Sequence, residues 1–123
     1  MNKGRALKLT PAAQNVKVPT YLSSHKVIIH RGQRQHIRCP SLRDEEELSL
    51  VFWFRGEQLL ARYARPGVGV NFVSSDRYEM SESHELIINH VDSSDQGDYA
   101  CSVVPSATGL QRKEKIVVAI LRE

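Results

Sequence analysis

This chain lacks any apolar run long enough to cross a membrane, and it lacks an Asn-x-Ser/Thr acceptor for N-linked sugar. Met1 to Gln14 has no apolar centre of the kind a secretory leader needs. Phosphate-cradling loops are missing too, because Gly67-Val68-Gly69 has neither a further glycine nor a helix after it. No G-x-S-x-G elbow presents a serine nucleophile. The five histidines, His25, His30, His36, His84 and His90, never stand two or four apart, so no ready metal site is written into a strand or helix. These absences point away from an enzyme, a metal and any cofactor. With only two cysteines, Cys39 and Cys101, a densely cross-linked mini-scaffold is excluded and a hydrophobic core must carry the fold.

What is present suits one domain. The 123 residues are enough to bury a core, and 41% of them are hydrophobic. Seventeen Lys and Arg against fourteen Asp and Glu leave a net charge of only +3. Part of that excess, Arg5, Lys8 and Lys17, falls in or beside residues 1–15, which are polar and unpatterned and read as a flexible tail. Nucleic acid is therefore not expected as a partner. A glycosaminoglycan contact through Lys26, Arg31, Arg34 and Arg38 is a further possibility that the charge pattern leaves open.

From Val16 onward the chain alternates in short runs broken by turn residues, the pattern of an all-β sandwich. Val16 to Leu22, interrupted by Pro19, and Lys26 to His30 predict an edge. Gln35 to Cys39 is a period-2 strand with Gln35, Ile37 and Cys39 facing in. A charged loop carrying Arg43-Asp44-Glu45-Glu46-Glu47 follows; it is either a solvated loop or a site for a cation or basic partner. Further strands are expected at Leu50–Arg55, Gln58–Tyr63, Val68–Val73, Arg77–Met80, Glu85–Ile88, Asp98–Val104 and Glu114–Leu121. In the first of these, Val51 and Trp53 face in, so Leu50, Phe52 and Phe54 face the other way. Large apolar side chains on an outer sheet surface mark an interface unless something covers them, and here the segment Ala61 to Ser75 or a neighbouring domain could. On the strand beside them Ala100, Ser102 and Val104 also point outward, making a flat floor under the raised aromatics.

Leu86, Ile88, Val91, Asp95, Gly97, Tyr99 and Cys101 stand in the order L-x-I-x-x-V-x-x-x-D-x-G-x-Y-x-C, with Gly32, Cys39 and Trp53 upstream. This resembles the immunoglobulin superfamily pattern at every position, over nearly all of 26–121. The length from Trp53 to Arg77 is similar to an I-set/V-set hybrid. The resemblance implies a Greek-key β-sandwich of two antiparallel sheets with one inter-sheet disulfide, Cys39–Cys101. It implies that Trp53 packs on that bridge, that Arg77 pairs with Asp95, and that the Tyr99 hydroxyl bonds backbone across the corner that Gly97 opens. A disulfide in turn implies an oxidising compartment, hence a domain of a larger secreted or membrane-anchored protein occupying residues 16–123. Its expected work is cell adhesion or receptor–ligand binding. The expected binding face is Leu50, Phe52, Phe54, Ala100, Ser102 and Val104, and the expected partner is itself or another protein with a similar domain. The competing expectation is an intracellular sarcomeric or cytoskeletal module with both thiols reduced.

Overall fold

The computed structural model describes residues 21–121, so the predicted tail and most of Val16–Leu22 lie outside the described residues. Nine strands form: β1 (Tyr21–His30), β2 (Gln35–Ile37), β3 (Leu48–Arg55), β4 (Gln58–Ala64), β5 (Phe72–Val73), β6 (Tyr78–Met80), β7 (Leu86–Ile88), β8 (Gly97–Pro105) and β9 (Arg112–Leu121). They make a six-stranded sheet in the order β1-β9-β8-β3-β4-β5 and a three-stranded sheet in the order β2-β7-β6. Neighbours are antiparallel with one departure: β1 runs parallel to β9, pairing Lys26 with Val117 and Ile28 with Ala119. The expected extra strand at Val68–Val73 shrinks to Phe72 and Val73, which pair with Arg62 and Ala61 at the sheet's edge.

Alternation explains the core. Val51 and Trp53 of β3 are fully buried, as are Tyr99, Cys101 and Val103 of β8 and Ile116 of β9. From the facing sheet Ile37, Leu86 and Ile88 close the layer, with Ile29 of β1 and Leu60 of β4 beside them. Trp53 lies directly across from Cys101 in the β3–β8 ladder. The Cys39–Cys101 bond joins the two sheets with their Cα atoms 5.9 Å apart. Gln35, the odd polar residue on the inward face of β2, is only partly buried, which spares it the cost of a lost hydrogen bond.

The base of the sandwich is locked by the motif residues. Asp95, wholly buried, ends a single 3-10 turn over Ser93–Asp95 and accepts from Arg77 Nη1 and Nη2 at 2.8 and 2.7 Å. The same carboxylate accepts from the Asp92 backbone N–H at 2.8 Å. Tyr99 donates its hydroxyl to the Asp95 carbonyl at 2.7 Å, and burial pushes that phenol's pKa upward. Gly97 sits between them at φ +151°, a conformation side chains rarely adopt, with the Arg55 guanidinium where a Cβ would point.

Candidate interaction face

The outer surface of the six-stranded sheet follows from the ladder. Leu50, Phe52 and Phe54 stand opposite Val104, Ser102 and Ala100, and opposite Ala64, Arg62 and Leu59 on the other side. The sequence-predicted face residues are thus brought together on one surface. They are not equally reachable. Leu50, Phe52, Phe54 and Val104 are partly buried, whereas Ala100 is 7% exposed and Ser102 not at all. Ala100 and Ser102 therefore form a floor and cannot be contact residues, which corrects the expectation for these two. The physical reason is the length of their neighbours: Gln111 donates its amide to the Ser102 hydroxyl, and the Lys113 ammonium lies 5.9 Å from the Phe54 ring centroid. Phe52 and Phe54 pack together with ring centroids 6.0 Å apart.

Part of the face is covered by the chain itself. The loop between β4 and β5 folds back so that Gly69 approaches the Ala64 side chain at 3.2 Å from where its own Cβ would stand. Arg62 Nε donates to the Val70 carbonyl at 2.9 Å, and Asn71 accepts from the Ala64 N–H at 2.8 Å. The covering segment foreseen between Ala61 and Ser75 thus packs on the β4 side, and Phe52 and Phe54 remain partly exposed. What that loop presents instead is new apolar surface: Val70 is 70% exposed and Phe72 42%, and Leu110 in the β8–β9 loop is 70% exposed. Sequence alternation could not single these out, because loop residues have no inside or outside until the loop is placed.

Beneath the β5 edge, Tyr63, Phe72, Val73, Met80 and His84 line an open cleft of about 690 Å³. His84 packs tilted against Tyr63, ring centroids 4.4 Å apart, and holds φ +69°, while its carbonyl accepts from Trp53 Nε1 at 3.2 Å. Burial lowers its pKa below the ordinary 6.5.

The other charge-bearing candidates are dispersed. Glu46 of the acidic loop is held by Arg112 through both oxygens, at 2.5 and 3.0 Å, and that hydrogen-bonded pairing lowers the carboxyl's pKa and raises the guanidinium's. Within the acidic run Glu46 thus works as a tie to β9, while Asp44, Glu45 and Glu47 are exposed. Glu114, on the inward side of β9, accepts from the Ser41 hydroxyl at 2.5 Å and lies 3.5 Å from His25. The basic set does not gather either: Lys26 leaves the outer face of the six-stranded sheet, while Arg34 and Arg38 flank β2 in the other one. Arg34 binds Glu79 and Asn89, each at 3.1 Å, and Arg38 lies 3.7 Å from both Asp44 and Glu85. Arg31 sits apart in the β1–β2 turn. Among the described residues no three His, Cys, Asp or Glu side chains converge as a metal site would require. No described helix is long and apolar enough to span a membrane.

Residues 22–119 match the family model of the immunoglobulin V-set domain. No curated protein matches the chain. Solved structures match its fold closely at low identity. CD84 is 17% identical with a TM-score of 0.64, covering 80% of this chain and 98% of that one. The first Ig-like domain of human CD48 antigen is 17% identical at 0.63, covering 90% and 91%. Tim-4 in complex with phosphatidylserine is 17% identical at 0.61, covering 80% and 99%.

Proposed function

Since the chain belongs to the immunoglobulin V-set domain family, we propose that it is a recognition domain of a cell-surface or secreted protein, binding another protein through the outer face of its six-stranded sheet. V-set domains are binding modules and not enzymes. The β5 strand beside β4 is a V-set feature and supports the V-set side of the I-set/V-set reading. The Cys39–Cys101 bond supports an oxidising compartment over the intracellular muscle-type alternative. The glycosaminoglycan reading loses support from the dispersal and acid pairing of Arg34 and Arg38.

The observation that carries the proposal is the contiguous strip Leu50-Phe52-Phe54, still partly solvent-exposed after the sheet is complete, extended sideways by exposed Phe72 and Val70. An apolar centre with a polar rim is the anatomy of a protein interface. Lipid binding, of the kind the Tim-4 complex displays for that protein, finds no comparable support in a flat sheet face. A tetramerised form of the domain should stain cells bearing its partner. Changing Phe52 and Phe54 to Ser should abolish staining with near-ultraviolet circular dichroism unchanged. Equal staining by a folded variant would refute the face.

A further inference from the structure

The outer face carries its charge one-sidedly. Lys26 on β1, Arg62 on β4, and Lys113 and Lys115 on β9 all leave the same surface, as their ladder partners Val117, Phe52, Ser102 and Ala100 require. Among the described strand residues of that surface the one carboxylate is Asp98, 3.6 Å from the Lys115 ammonium. Several of the domain's other acids pair with cations away from this surface: Glu46 with Arg112, Glu79 with Arg34, Glu85 with His36 and Arg38, and Asp95 with Arg77. The cations surround an apolar centre made of Leu50, Phe52 and Phe54, and Lys113 already lies over the Phe54 ring.

Resting on the reading that this face is the binding surface, we propose that its partner is a different protein whose contacting face is acidic around an apolar centre, and that two copies of this domain do not pair through it. A two-fold pairing sets the same patch against itself, so every residue that one copy buries the other buries too. Here that places cations against cations with a single carboxylate per copy to relieve them. Like charges brought together across an interface oppose wrong partners strongly, and opposite charges steer right ones. A sulfated polysaccharide would satisfy the rim but has no apolar surface to fill the centre. An acidic protein face satisfies both.

The proposal can be tested without knowing the partner, by making one from the domain itself. The variant Lys26→Glu/Arg62→Glu/Lys113→Glu/Lys115→Glu keeps the apolar centre and reverses the rim. By sedimentation the native domain and the folded variant should each remain monomeric at about 0.1 mM, while their equimolar mixture associates. That association should weaken at least about tenfold when salt is raised from roughly 0.05 to 0.5 M, and vanish when the native copy carries Phe52→Ser/Phe54→Ser. A native domain that dimerises, with loss of the dimer in the Phe variant, overturns the acidic partner and leaves the face standing. Association of the mixture that ignores the Phe variant overturns the face. A mixture that does not associate, or a native domain held by heparin and released by the reversal, overturns the acidic-protein partner.

Discussion

Replacing Arg77 with Met should cost the domain about 3 kcal/mol, and the reason lies in what Asp95 would be left with. The Asp95 side chain is fully buried and takes two charge-assisted hydrogen bonds from the Arg77 fork, at 2.8 and 2.7 Å. Without Arg77, the one donor left to the carboxylate among the described residues is the Asp92 N–H at 2.8 Å. Stripping one partner from a buried pair costs roughly 3–5 kcal/mol, because the survivor stays desolvated. The lower end applies here, since the Arg77 side chain is 37% exposed and water can enter where it stood. Arg77→Lys keeps a charge but not the fork, and should cost about 1 kcal/mol. Asp95→Asn should cost less than Arg77→Met, because the orphaned guanidinium can turn to solvent while the orphaned carboxylate cannot. Urea unfolding at neutral pH measures all three. With a slope near 1.5 kcal/mol per molar, the Met variant's midpoint falls by about 2 M. A shift below about 0.5 kcal/mol, or Asn costing as much as Met, would refute the claim that Asp95 is the desolvated member.

Two further outcomes are expected. His84 is held neutral by burial against Tyr63, its pKa lowered from 6.5. The unfolded chain therefore takes up the proton first, and stability intact above pH 6.5 should erode as pH falls through the lower folded value. His84→Asn, which tolerates the positive φ, should flatten the change in unfolding midpoint between pH 7.5 and 5, and an unchanged slope would exclude His84 as its source. Changing Cys39 and Cys101 together to Ala frees a loop spanning 62 positions, which the chain-entropy model values at about 4 kcal/mol. Thermal unfolding of the non-reducible variant should fall accordingly, and an unaltered midpoint would show that the bridge contributes nothing.

The core and base were legible because their residues have strict local reasons. Alternation puts Val51 and Trp53 on one face, the resemblance assigns that face to the core, and both are fully buried. The immunoglobulin resemblance carried by Asp95, Gly97, Tyr99 and Cys101 implied the corner, and the Tyr99 hydroxyl bonds the Asp95 carbonyl there. The parallel docking of β1 on β9 was not legible, since a strand's own pattern is the same whichever way its neighbour runs. Nor was the inward turn of Glu114, a charge on a core-facing position that partners distant in sequence, Ser41 and His25 among them, help make tolerable. The basic set failed for the same kind of reason. Proximity along the chain put Lys26 beside Arg34 and Arg38, but the turn at Arg31-Gly32 carries β1 and β2 into different sheets.

The division has a physical root. Residues such as Trp53, Arg77, Asp95 and Tyr99 are constrained by one another, and that mutual constraint is written entirely within this chain. Phe52 and Phe54 are constrained only in part: Lys113 lies over one ring and each ring flanks the other, yet neither is sealed. The fold is equally content with polar residues at these outward positions, because a half-exposed sheet tolerates either kind on its wet side. On the proposed function, their apolar character and the basic rim around them answer to something outside the domain. A surface whose chemistry the fold does not demand is where a partner's demands can be read, and here they read as an apolar face with acid at its edges.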